Sequence, residues 1–296
     1  MDRTEKLSKK LYKDIVKHGD KSLEKFLKKG ADPELILNYW SYSYDAIDPN
    51  IILELLGKVE NLDQSEKYFY SATKIFLQYK TVDEIVEFSK RYPSTLNVAM
   101  NEYRDAVVYN RDMVLMRKYS DIIKNCIEAG VKVGTDSLAT LVYVCGMIPS
   151  GDENYPDRAE LMENSYSLCE AICKTDTEVA TETDKVGVLK QLISPVVEND
   201  DTCIEYIYNI CKLLMDKGAD LHGDANKVNN VLDNSICRKD FSNKLRNKLE
   251  DYYQTVYLKK SGEKQQKEKL KQKGSALVEQ IISQKDQKLT IDQKGC

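Results

Sequence analysis

One phrase occurs twice in this chain. Lys25–Leu35 reads KFLKKGADPEL, Cys211–Gly223 reads CKLLMDKGADLHG, and their glycines, Gly30 and Gly218, stand 188 residues apart. This repetition constrains the fold more than any other feature. Copies of a short unit cannot bury an apolar face alone, so neighbouring copies must stack on one another. In the second copy Ile207, Ile210, Cys211 and Leu214 fall at i, i+3, i+4 and i+7, one stripe of an α-helix. Gly218 then stands where a left-handed residue would end that helix.

The same grammar appears elsewhere. Leu23, Phe26 and Leu27 precede Gly30-Ala31-Asp32, and Ile122, Ile123, Cys126 and Ile127 precede Gly130-Val131. Weaker copies precede ENLD (60–63), RYPSTLN (91–97) and KTDTEV (174–179). The turns fall near 31, 62, 93, 131, 175 and 219, giving spacings of 31, 31, 38, 44 and 44. Between them lie second helical segments at 34–44, 65–79, 95–109, 136–146, 184–197 and 225–237. In 65–79 the spacing places Phe69, Ala72, Phe76 and Tyr79 on one face. Pro33 directly follows Asp32 and suits the first position of the next helix. With only 13 Gly and 6 Pro, the chain is poorly supplied for a hairpin-rich β protein.

The segments LEKFLKKGADP, IIKNCIEAGVKVG and CKLLMDKGADLHG resemble the second helix and turn of the ankyrin repeat family. On that resemblance Gly30, Gly130 and Gly218 take the turn glycine, and Asp32 and Asp220 the turn aspartate. The family's Thr-Pro-Leu-His opening is absent, so long β-hairpin fingers are not expected. The expected fold is all-α: an α-solenoid of about six irregular ankyrin-like helix pairs, followed by a C-terminal helix and a polar tail. The expected divisions are residues 1–146, a Pro-, Gly- and acid-rich connection at 147–160, residues 161–258 with a capping helix, and a mobile Lys/Gln-rich tail at 259–296.

The search for chemistry returns little. The chain has no Gly-rich phosphate loop and no GxSxG elbow. Of two histidines, His18 reads as the end of the first helix, where positive charge is favourable, and His222 follows a turn. Cys169 and Cys173 share a helical face at a spacing zinc could use, but Leu168 and Ile172 beside them make a core stripe the better reading. Ser22-Leu-Glu-Lys25 matches a Ser-x-x-Lys pattern, yet Ser22 also lies where a helix N-cap belongs. No catalytic residue, metal or cofactor is expected. The sharpest candidate is aromatic. Tyr39, Trp40, Tyr42 and Tyr44 cannot all face inward on one helix, and Tyr68 and Tyr70 lie one unit further on. Together these six are the expected partner-binding residues.

Charge bears on the partner. Ten lysines and five acids leave residues 259–296 at +5; with the whole chain at −4, the remainder carries −9. An acidic body does not look like a nucleic-acid surface. The eight cysteines form no CxxC pair and mostly sit in apolar helical patterns, as in a reduced cytoplasmic protein. No signal peptide or integral membrane segment is expected. The resemblance therefore implies a non-catalytic scaffold or effector binding another protein, such as a host-interaction factor. Two alternatives are an enzyme or toxin using dispersed Cys, His and acidic residues, and a structural protein self-associating through its tail.

Overall fold

A computed structural model describes residues 2–43, 45–148, 157–175, 201–219, 243–259 and 262. Every regular element among them is helical. In chain order the α-helices are α1 (Arg3–His18), α2 (Leu23–Leu27), α3 (Pro33–Ser43), α4 (Pro49–Lys58), α5 (Lys67–Tyr79), α6 (Val82–Arg91), α7 (Ser94–Arg104), α8 (Met113–Glu128), α9 (Thr135–Met147), α10 (Arg158–Lys174), α11 (Asp201–Asp216) and α12 (Asn243–Tyr252). The expected segments at 34–44, 65–79 and 136–146 are thus α3, α5 and α9. The segment at 95–109 is α7 with a π-turn, Asp105–Asn110, and those at 184–197 and 225–237 lie outside the described residues.

Local chemistry fixes the helix boundaries. Asp2, Asp48 and Asp112 accept backbone N–H groups at the starts of α1, α4 and α8. Thr81 and Glu84 form a reciprocal capping box on α6. α3 begins at Pro33, as its position after Asp32 predicts. His18 is the last residue of α1 and is exposed. Ser22 precedes α2 but makes no cap; its hydroxyl donates to Asp14 instead.

The three glycine turns share one geometry. Gly30, Gly130 and Gly218 have φ of +92°, +80° and +100°, values that favour glycine. Their N–H groups donate to Leu27, Ile127 and Met215 at 2.9 to 3.0 Å. The next residues, Ala31, Val131 and Ala219, donate to Phe26, Cys126 and Leu214, also at 2.9 to 3.0 Å. This paired pattern closes a helix and tucks the following apolar residue inward. Ala31, Val131 and Ala219 are all buried. Asp32 does further work: its N–H donates to Ser8 of α1 at 2.8 Å, and its carboxylate caps α3 through Glu34 N–H at 2.8 Å. Asp220 lies outside the described residues. The weaker copies end differently, with Val59 and Thr175 extended after α4 and α10, and no glycine.

Contacts divide the chain into two units, residues 1–241 and 242–296. In the first, α1, α3, α5, α7 and α9 pack in succession. A second succession runs α6, α8, α10, α11, and cross-contacts join α3 to α4, α4 to α5, α7 to α8 and α9 to α10. α10 packs on both α8 and α9, so the packing continues across the acid-rich stretch at 147–160, of which 149–156 lie outside the described residues. Each fully buried Leu, Ile or Phe in this interior contributes roughly 1.5–3 kcal/mol. On α5 the buried stripe is Phe69, Ala72, Thr73 and Leu77; Tyr79, expected to share it, is 54% exposed. It is the last residue of the helix. In the second unit Leu245, Leu249 and Tyr252 form a buried i, i+4, i+7 stripe on α12. Among the described residues, no helix is long and apolar enough to cross a membrane.

Candidate partner-binding face

The expected aromatic residues separate into three groups. Tyr39 and Trp40 are half-buried against the core, and the Tyr39 ring lies 6.0 Å from that of Tyr12 on α1. Tyr42 is 61% exposed, and Lys67 Nζ of α5 stands 4.6 Å over its ring. Tyr44 lies outside the described residues. Tyr68 overturns its expectation, because it is wholly buried. Its hydroxyl donates to Glu34 Oε1 at 2.8 Å and accepts Asp63 N–H at 3.1 Å. Burial, then the hydrogen bond to Glu34, pushes its phenol well above the ordinary value. Tyr68 therefore pins α5 to the start of α3 and is not available to a partner. Tyr70, two residues on, lies on another side of α5 and is exposed.

From Tyr70 a chain of contacts crosses successive helices. Lys74 Nζ lies 5.9 Å from the Tyr70 ring centre and 2.8 Å from Glu102 Oε1 of α7. Arg104, at the end of α7, donates to Asp105 at 2.8 Å and to Asn101 at 3.2 Å, and stands 5.9 Å from the Tyr109 ring. Tyr109 is 64% exposed and stands beside Tyr143 of α9. Tyr42 with Lys67, Tyr70 with Lys74 and Glu102, and Arg104 with Tyr109 and Tyr143 thus lie on α3, α5, the end of α7 and α9, four members of one packed succession.

The electrostatics follow from this packing. Burial, then Glu102, pushes the Tyr70 phenol up, and the Tyr109 hydroxyl pushes that of Tyr143 up. Both stay neutral at physiological pH, presenting an apolar ring and a hydrogen-bonding hydroxyl. Burial lowers the Lys74 ammonium, but the Glu102 contact outweighs it and the net direction is up, so the charge is held. Such rings have few rotatable bonds and lose little entropy when a partner covers them. Among the described residues, no group of three or more His, Cys, Asp or Glu could hold a metal ion. Cys169 is buried on α10 and Cys173 half-buried, consistent with a core stripe.

Sequence reasoning missed Arg104, Tyr109 and Tyr143. Tyr109 faces out because α7 widens into the π-turn at 105–110, which ends on Arg111 in the left-handed region (φ 52°). The only trace of this in the sequence is the polar run Asn110-Arg111-Asp112 that follows. Tyr143 is masked by its neighbours, since it sits between the buried Val142 and Val144 in an otherwise apolar run.

No family model matches the chain, and no match to it was found among curated proteins or solved structures.

Proposed function

We propose that this chain is a non-catalytic protein-binding scaffold, an ankyrin-like α-solenoid that seats another protein along the α3–α5–α7–α9 side. The observation that carries this reading is the run of exposed tyrosines and bound charges crossing those four helices. Exposed Tyr and Arg are the residue types that anchor protein interfaces. The succession of helix contacts and the three matching glycine turns support the repeat architecture. The acidic body favours a protein partner over nucleic acid, and the free cysteines among the described residues favour action in a cytoplasm, as an effector or host-interaction factor would require. No cofactor is needed for such a role.

The test is affinity capture with the wild type and a Tyr42→Ala, Tyr70→Ala, Tyr109→Ala variant, identification of the captured protein, and measurement of its Kd. All three side chains are exposed, so the variant should keep the helical circular dichroism and melting point of the wild type. The expected result is at least tenfold weaker binding. Unchanged affinity in a folded variant would overturn the reading. Light scattering with and without residues 259–296 measures whether the tail mediates self-association.

A further inference from the structure

At the α1 end of this side, a groove of about 480 Å³ runs between α1 and α3. Its floor is built from the rings of Tyr12 and Tyr39, with Tyr42 at one edge. The Tyr12 hydroxyl is tied to Ser43 and Asp45, so it offers a ligand its ring and not its proton. Lys9 and Lys13, one turn apart on α1, line the same groove. Both are exposed, and among the described residues neither enters an ion pair. Asn38 also lines the groove, with its Oδ1 enclosed beneath the surface.

Each feature asks for a particular chemistry. The ring floor asks for an apolar or aromatic side chain. The lysines ask for carboxylates, and they stand on a helix carrying Arg3, Lys6, Lys9, Lys10, Lys13 and Lys17 against only Glu5 and Asp14. The groove lacks the arginine fork that reads phosphate best. A peptide supplies both groups at once. We propose that this groove binds an acidic linear peptide segment of the partner: an apolar side chain on Tyr12 and Tyr39, and flanking carboxylates at Lys9 and Lys13. The inference rests on the protein-binding reading above and names the chemistry of one end of that interface.

The probe is a fluorescein-labelled peptide with a central phenylalanine flanked by glutamates, followed by fluorescence anisotropy on the full chain. Its counterparts are the same peptide with glutamine for every glutamate, and a labelled single-stranded oligonucleotide. Expected results are saturable binding of the acidic peptide, at least tenfold weaker binding of the glutamine peptide, and weakening as salt rises. A Lys9→Gln, Lys13→Gln variant, altered only at exposed positions, should lose at least tenfold. Equal affinity for the glutamine peptide, indifference to the lysine variant, tighter binding of the oligonucleotide, or no peptide binding up to millimolar concentration would each overturn the proposal. A Tyr70→Ala, Tyr109→Ala variant leaves Tyr42 and the groove intact, so its Kd for the captured partner stands apart from these outcomes and decides the broader reading on its own.

Discussion

The interior around α4 to α7 and the interior around α9 to α11 are made of different materials. In the first, rings touch rings: Phe76 and Phe88 lie 4.4 Å apart between centroids, Phe88 and Tyr92 4.9 Å, and Phe69 and Tyr92 6.1 Å. In the second, small sulfur and hydroxyl groups meet: Cys145 and Cys169 at 3.8 Å, and Ser165 and Tyr206 at 2.7 Å, with Cys203 and Cys211 buried nearby on α11. No cysteine precedes Cys126, and no phenylalanine stands between Phe88 and Phe241. Similar helix pairs are filled in both places, so helix stacking demands matched volume more than particular residues. The cost differs, however. A core of mostly phenylalanine rings has few donors to satisfy, whereas a core of thiols and hydroxyls must pair each one it buries.

The pairing shows in the acidities. Burial raises the Cys145 thiol, but hydrogen bonds with Cys169, Tyr206 and Ser165 bring it below its ordinary value. The hydrogen bond to Cys145, then burial, holds Cys169 well above it. Burial, then the nearby Cys145, holds the Tyr206 phenol high, so it remains a neutral donor.

The contrast makes its largest prediction in the ring core. Phe69→Ala, at a site 1% exposed, should cost about 3–5 kcal/mol, because the fixed helices cannot close the void. Cys169→Ala removes a single heavy atom and should cost about 1 kcal/mol. Urea unfolding of both variants measures the difference. Equal costs would break the comparison, showing that the sulfur cluster is as tightly specified as the rings.

A middle-sized effect sharpens the second half of the contrast. Tyr206→Phe deletes a buried hydroxyl and leaves Ser165 Oγ and Cys145 short of a partner, at a cost of about 1–3 kcal/mol. Tyr92→Phe deletes a hydroxyl whose bond to the Glu60 carbonyl is a long 3.3 Å, and should cost under about 1 kcal/mol. Adding Ser165→Ala to Tyr206→Phe should cost less than the separate losses added together, since both changes remove the same Ser165–Tyr206 hydrogen bond. Strict additivity in a thermal or urea series would argue against a coupled network.

Much of this architecture was legible because it is local. Helix stripes repeat at 3.6 residues, and Gly30, Gly130 and Gly218 announce a left-handed position that few other residues tolerate. The same locality explains Pro33 at the start of α3. What escaped depends on contacts far along the chain. Tyr68 and Tyr70 read alike in KYFYSA, and only Glu34 and Asp63, brought close by folding, draw one inward and leave the other out. The face itself was half legible: Tyr42 and Tyr70 sit in dense aromatic runs, whereas Tyr109 owes its exposure to a helix irregularity that periodicity cannot register. The Cys145–Cys169 contact joins residues on two helices and leaves no spacing signature at all.

The smallest effect separates the halves by pH. The ring half carries the α6 capping box on its surface: Thr81 N–H donates to Glu84 Oε2 at 3.0 Å, Lys80 lies 3.0 Å from Oε1, and Thr81 Oγ1 lies 2.9 Å from Oε2. Foremost the backbone hydrogen bond, then Lys80, brings Glu84 down to about 2. A carboxyl lowered by folding stabilises the fold above its unfolded value, about 4.3, and loses that contribution as pH falls through its folded value. Glu84→Gln should therefore melt below the wild type at pH 7, with the gap closing between about pH 4.3 and pH 2 as the native carboxyl takes up its proton. Differential scanning calorimetry across that range measures it. Because Glu84 is solvent-exposed, added salt should narrow the gap at pH 7 as well. The Tyr206→Phe penalty involves no carboxyl, since it is set among a phenol held high by burial, a serine hydroxyl and a thiol, and it should stay constant over the same interval. A Glu84→Gln gap that stayed constant down to pH 2 would mean the cap works by shape alone, with no contribution from charge.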